Sequence, residues 1–501
     1  MSTYYVFRKN FSCRPLSWKD KNGNSEAIEF SFEMAKKYVE EENRKCGEDT
    51  YFYMEEKEWL KECQSLQRAE IYEKMDEVIG KMMNYPEMKF IEKQICEEND
   101  RNIIGFEIPF KANCNRDYEE KLKDKLDEFA KTIDRSPFRK EGTLVDDVKC
   151  ICKMVYDAFV AAKNEKTKKE AEKIVEKILE NYKEDSFAVT ELDKSYAFRG
   201  IAPFDELKPE WGSEEKYNDM IKDELNFFRA RQIGEGETIQ ERKEINYLSY
   251  NNRKWANDMR FSSKGKVCLY LGTTSYVCSK ECRWDESKNL YLSSFKFNEN
   301  GKKLKILNLV VLEALMNGIG TVAEWDLRCR ELHSAMIRIF PLVIATMFTI
   351  STPDAERKGK YGECCKYEYL LSQILMNVLQ KVGIDGVAYL SRQGKNDFQY
   401  PQMVCLAIPV NDSSDRDQYG NLINDFVMTP PILYNNFSGD SIYERKSYIN
   451  KNYSEYIEKS WGKTVQFNAK VEFAGKTVFY QETPYSKFDD FLINQEHKKV
   501  V

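Results

Sequence analysis

Histidine is almost missing from this chain: in 501 residues only His333 and His497 occur. A mechanism built on a histidine base has two places to live and no more. The sequence also lacks a G-x-S-x-G elbow, a G-x-x-x-x-G-K-[ST] loop and a G-x-G-x-x-G turn, which removes the commonest hydrolase and nucleotide-binding kits. Positive charge is not in excess, with 77 lysines and arginines against 83 acids and a net charge of −6. No global basic field is available, so bulk nucleic-acid binding is not expected. Long apolar runs are missing as well. Ile339 to Ile350 spans about twelve residues where a membrane-crossing helix needs roughly twenty, so it reads as a buried element and no membrane partner is expected. No apolar signal segment opens the chain, and the fourteen cysteines are scattered rather than framed. These features predict a cytoplasmic protein with reduced thiols. Cys278 with Cys282, and Cys364 with Cys365, lack compact C-x2-C spacing and a nearby histidine, so no metal is expected.

What is present supports two or three domains, with 42% hydrophobic residues to fill their cores. Residues 1–190 read as a helical regulatory or interaction domain. EMAKKYVEEENRK and DYEEKLKDKLDEFAKTI mix charge with apolar stripes, and Leu144, Val148, Ile151, Val155 and Phe159 recur at helical steps. Lys163 to Lys183 continues with Ile174, Ile178 and Tyr182 on one face. Gly200, Pro203, Pro209 and Gly212 punctuate a linker over 191–223. Short strand patterns follow within 224–411, at 267–271, 290–297, 304–311, 386–390 and 403–408, with a helix from Tyr367 to Val382 ended by Gly383. The fold class expected is α+β: a helical N-terminal region, a mixed-sheet domain, and a C-terminal extension over 412–501. In that extension Val465 to Phe473 alternate before Gly475 turns the chain into a hairpin.

The candidate chemistry gathers in four short stretches. Period two on the strand at 267–271 sets Tyr270 and Cys268 opposite Leu269. Gly272-Thr273-Thr274 then offers a turn and a helix cap, and Glu281 lies about two turns into the helix that follows. NFFRARQIGEG (226–236), RFSSKGKVCLYL (260–271), SKE (279–281) and GIDGVAYLS (383–391) stand in the order found in RES-domain proteins. Over roughly 224–411 the chain resembles that family of NAD-consuming, toxin-type enzymes with an ADP-ribosyltransferase-like fold. It departs from the family in carrying Lys280 before the glutamate, Phe261 after the second arginine, and an insertion-like stretch from Leu312 to Ile350.

The resemblance implies an NAD-binding catalytic domain that cleaves the nicotinamide–ribose bond, with NAD as substrate and no cofactor. It assigns catalysis to Glu281, Tyr270 and Arg229, and substrate binding to Arg260, Arg231, Ser391 and Tyr389. The implied chemistry needs no histidine: a carboxylate faces an oxocarbenium-like cation, and planar guanidinium forks suit a pyrophosphate. The acceptor stays open between water, phosphate and a protein side chain. An antitoxin or other regulatory protein and a homo-oligomer are the expected partners, in a setting of growth arrest or phage defence. Two rival readings remain. Arg328 and His333 have the arginine-x4-histidine spacing of HEPN-type ribonucleases. Alternatively, the domain is a non-catalytic nucleotide-binding module whose helical region binds a partner.

Overall fold

The computed structural model describes residues 4–8, 17–19, 25–27, 31–46, 51–55, 106, 108–134, 143–199, 224–311, 327–353, 366–393, 402–410, 414, 418–435, 470–473, 475–480 and 483–500. The chain divides into two compact units, Met1–Asn102 and Ile103–Val501. In the first, β1 (Tyr4–Arg8) pairs antiparallel with β4 (Tyr51–Glu55), and β2 (Ser17–Lys19) pairs with β3 (Ser25–Ala27). Between them runs α1 (Phe32–Cys46), the charged amphipathic helix expected there. The helical reading of this stretch thus needs correction: YYVFR and YFYME are rich in the aromatic residues that favour a pleated surface.

The second unit is α+β. β5 (Phe110–Ala112) precedes three helices, α2 (Asn115–Asp134), α3 (Leu144–Ala162) and α4 (Lys168–Tyr182), each where its apolar stripe predicts. The main sheet comprises, among the described residues, β6 (Val189–Glu191), β7 (Phe227–Ile233), β8 (Cys268–Gly272), β9 (Asn289–Phe297), β10 (Lys305–Leu309), β12 (Gly386–Leu390), β13 (Val404–Pro409), β14 (Phe426–Met428) and β15 (Ile432–Leu433). Its order is β14-β9-β7-β8-β13-β12-β10-β6, with β15 also on β9. A short helix, α5 (Ser275–Glu281), follows β8.

All these pairings are antiparallel except β10 with β12. A parallel pair cannot be closed by a tight turn, so the chain must cross back over the sheet. The crossing contains α6 (Leu327–Thr346), β11 (Phe348–Ile350) and α7 (Tyr367–Val378). The stretch from Leu312 to Ile350 is accordingly part of a topological return rather than an insertion; residues 312–326 lie outside the described set. Leu332, Ile337, Phe340 and Val343 on α6 are fully buried, so its apolar run is core. No described helix is long and apolar enough to cross a membrane. Arg328 and His333 both fall on α6, but their side chains lie outside the description.

Packing ignores the boundary expected near 190. Phe106 and Phe129 meet Phe340 edge-on, with ring centroids 5.2 and 4.8 Å apart. Tyr118 donates to the Ala345 carbonyl at 3.0 Å and Tyr182 to the Arg338 carbonyl at 2.7 Å. The strand β6 pairs with β10 at the sheet edge. Of the expected C-terminal hairpin, β16 (Lys470–Phe473) and β17 (Lys476–Phe479) pair antiparallel around Gly475, whose φ is +73°; residues 465–469 lie outside the described set. A helix, α8 (Pro484–Ile493), follows.

These contacts decide where the chain can be cut. Residues 103–501 expressed alone are expected to unfold in one cooperative urea transition. Residues 190–501, stripped of the helices that cover α6, are expected to show a broad transition and to aggregate. Equal cooperativity in the two fragments would refute the packing argument.

Candidate active site

Glu281 is delivered by a junction that tolerates almost no added atom. A Cβ on Gly272, at the end of β8, would stand 2.8 Å from Cys278 Sγ and would collide with the Val277 side chain. Glycine therefore lets α5 begin directly against the strand. Thr274 caps the helix, its hydroxyl accepting from the Val277 amide at 3.1 Å and donating to the Gln402 carbonyl at 2.8 Å. The neighbouring Thr273 hydroxyl donates to the Val404 carbonyl at 3.1 Å, so the cap is tied to β13. Glu281 is the last residue of the helix, and its Oε1 accepts the Ser391 hydroxyl. Ser391 is itself held: its amide donates to the Met403 carbonyl at 2.8 Å, and its Oγ accepts from Gln393 at 3.1 Å.

The strands beneath bring further residues to the same place. Tyr270 stands opposite Ala407, Ala407 opposite Val387, and Tyr389 opposite Cys405. Alternation then puts Tyr270, Tyr389 and Cys405 on one sheet face. The Tyr389 ring centroid is 4.4 Å from that of Phe261, and the Arg260 guanidinium lies 5.0 and 4.9 Å from the two rings. Burial pushes the Tyr389 phenol and the Cys405 thiol well up, and the Glu281 carboxylate adds to both shifts.

Arg260 is 7% exposed, yet no carboxylate among the described residues forms an ion pair with it. Its Nη1 donates to the Leu390 carbonyl at 3.3 Å, its Nη2 lies 3.1 Å from Met347 Sδ, and its Nε has no hydrogen-bond partner among the described residues. Burial, reinforced by the nearby charge of Arg392, pushes its pKa down to about 10. Arg392 donates to the Phe348 carbonyl at 2.5 Å and to the Tyr369 hydroxyl at 3.2 Å, with its guanidinium 5.1 Å from that ring. Arg392 escapes a motif search because its closeness to Arg260 arises only when β12 and the 256–265 loop come together. Its one sequence signal is that it directly follows Ser391. Tyr270 completes the group, its hydroxyl donating to Ser262 Oγ at 3.0 Å in the loop that carries Arg260.

The two arginines of β7 are used differently. Arg229 donates through Nε to the Ile245 carbonyl at 2.7 Å and through Nη1 to the Tyr270 carbonyl at 2.9 Å. Arg231, which is exposed, donates to the Glu244 carbonyl. Together they satisfy the carbonyls that end the short helical turn Arg242–Ile245. The structure thus joins Glu281 with Ser391 and Arg260 with Tyr389, sets Tyr270 against their loop, and gives Arg229 and Arg231 main-chain work. Cys278 and Cys282 direct their thiols at the Phe228 and Ala230 carbonyls, 3.1 and 3.6 Å away.

The C-terminal segment clamps the other end of α5. Asp489 on α8 is 6% exposed; its Oδ1 accepts the Ser275 amide at 3.0 Å and its Oδ2 accepts the Tyr480 hydroxyl. Tyr276 donates to the Glu472 carbonyl of β16 at 2.7 Å, and Ser275 Oγ lies 3.4 Å from the Tyr485 carbonyl. Burial pushes the Asp489 carboxyl up to about 7, against the Ser275 and Tyr480 hydrogen bonds that favour its ionised form.

Two measurements follow. Arg229→Lys keeps the charge but cannot fork to two carbonyls, so unfolding stability is expected to fall by about 1 to 3 kcal/mol; an unchanged urea midpoint would return Arg229 to a purely catalytic role. For Asp489 the folded pKa lies above the ordinary 3.8. The stability it contributes is therefore full below about pH 4 and lost as pH rises through about 7. Between pH 5 and 8 the protein is expected to lose about 2 to 3 kcal/mol relative to Asp489→Asn. Parallel pH profiles for the two proteins would rule this out.

Against known proteins, the chain is similar to the protein named "Putative toxin YopC" from Bacillus subtilis (strain 168). The two are 24% identical over 342 residues, which cover 66% of this chain and 69% of that protein. No protein-family model and no solved structure matches the chain. The similarity supports a toxin-like function and reaches no specific reaction.

Proposed function

We propose that this chain is a toxin-like enzyme that consumes NAD by cleaving its nicotinamide–ribose bond, on an ADP-ribosyltransferase-like sheet. The observation that carries the reading is the juxtaposition of a fixed carboxylate with buried, unpaired positive charge. Glu281 is held by Ser391, while Arg260 is buried, and neither it nor Arg392, whose charge acts on it, forms an ion pair with a carboxylate among the described residues. A buried guanidinium without a counter-ion is costly, and a bound anion would offset that cost. NAD matches both halves, with a pyrophosphate for the arginines and a ribose that becomes cationic for the glutamate.

In the proposed step the C1′–N bond breaks and its electron pair leaves with neutral nicotinamide. Glu281 stabilises the positive charge that develops on the ribosyl carbon, and the oxygen of an acceptor then bonds to that carbon and gives up its proton. Ser391 holds Glu281 in one orientation, so the charge is in place before the bond breaks. Tyr389 and Phe261 hold the Arg260 guanidinium on their faces, and Tyr270 braces the loop through Ser262. The acceptor, whether water, phosphate or a protein side chain, is read from the product.

Purified protein mixed with NAD is expected to release nicotinamide. Glu281→Gln is near-isosteric but removes the charge, so turnover is expected to drop about 10²- to 10³-fold with the fold intact. Turnover of NAD by that variant at the parent rate would overturn the site, and no nicotinamide release by the parent protein would overturn the reaction.

A further inference from the structure

The structure assigns to the segment Tyr250–Met259 a docking surface for an acidic polypeptide partner, an inference that rests on the proposed function in so far as the partner regulates that site. Among the described residues only four large hydrophobic side chains stand clear of the surface, and two of them, Trp255 at 67% and Met259 at 46%, are four residues apart here. Tryptophan exposed on a rigid element is the side chain most often found to anchor an interface.

The element is rigid. Tyr250–Trp255 is a short 3-10 turn whose first amide donates to the Gln418 carbonyl at 2.6 Å. Asn252 Nδ2 donates to Ser249 Oγ at 3.1 Å, and the Arg253 guanidinium lies 3.6 Å from the Tyr250 ring centroid. Just beyond it, Gln373 of α7 donates to Asp258 Oδ1 at 2.8 Å and to the Met259 carbonyl at 3.0 Å. Trp255 and Met259 are therefore presented, not loosely dangling.

Charge names the partner. From Tyr250 to Lys266 there are five basic residues, Arg253, Lys254, Arg260, Lys264 and Lys266, against the single acid Asp258, in a chain whose net charge is −6. Arg253, Lys254 and Lys264 are exposed and form no ion pair among the described residues. A second copy seated by two-fold symmetry would bring this basic patch against itself. Nucleic acid would meet only a few cations on an acidic protein. An acidic polypeptide with apolar anchors fits both the exposed rings and the charge. Met259 is bonded directly to Arg260, so a partner seated here presses on the loop that carries Arg260 and Ser262.

The test uses the full chain and a fluorescein-labelled 20-residue peptide in which glutamates alternate with leucines, followed by anisotropy at low and at high salt. Binding that weakens with salt, falls at least tenfold in Arg253→Glu/Lys254→Glu, and falls again in Trp255→Ala is expected. No binding of the peptide, or binding indifferent to those changes, would overturn the inference. So would a single-stranded oligothymidylate that binds more tightly and is lost in the same variants, or a dimer that Trp255→Ala dissociates in the ultracentrifuge. Nicotinamide release by the double variant is expected at the parent rate, so failure of docking and failure of the proposed reaction are read separately.

Discussion

A guanidinium buried with no carboxylate paired to it among the described residues is the constraint around which the second unit is arranged. Water is gone from Arg260, and its desolvation has to be met from several directions at once. Two aromatic faces, a carbonyl at the end of β12 and a methionine sulfur at the end of α6 do this. They come from three parts of the chain: Phe261 from the loop itself, Tyr389 and the Leu390 carbonyl from the strand after the crossover, and Met347 from the end of the crossover helix. The charge stays in place only because sheet and crossover converge on it, and one donor is still left over. The rest of the candidate site, with Glu281 tied to Ser391 and Tyr270 tied to Ser262, is spaced around that cation.

Much of this architecture was legible in the residues. β8 runs over 268–272 where the pattern predicts 267–271, β9 and β12 match to within a residue, and Gly383 ends the helical stretch after α7 in a left-handed conformation. Local signals suffice there, because period two, a cap and a glycine are properties of neighbours in sequence. What depends on distant pairing was not legible. β6 is three residues long and is a strand only because β10 lies beside it. The parallel contact of β10 with β12 turned an apparent insertion into a crossover, and no local pattern announces the direction of a partner strand.

The site divides along the same line. Tyr270, Glu281, Ser391 and Tyr389 sit at strand and helix positions that sequence periodicity can place. Their mutual contacts, and the approach of Arg392 to Arg260, come from register. Arg229 and Arg231 show the converse. Both occupy motif positions, yet they reach main-chain carbonyls, those of a short turn more than ten residues away and, for Arg229, that of Tyr270 on β8 as well. An arginine in a motif can serve a ligand or the backbone, and only the fold distinguishes the two.

The clamp on α5 also fixes when the site can exist. Glu281 is made first, Ser391 more than a hundred residues later, and Asp489 98 residues after that. Strands brought together across such separations pair slowly, since the loop between them must close before any contact is gained. A ribosome-bound chain that has already made the 260–281 stretch carries the motif without its clamp. Assembly of the candidate site thereby waits on residues spread over more than two hundred positions of chain, from Arg260 to Asp489, so the stretch that carries the motif cannot form the site by itself.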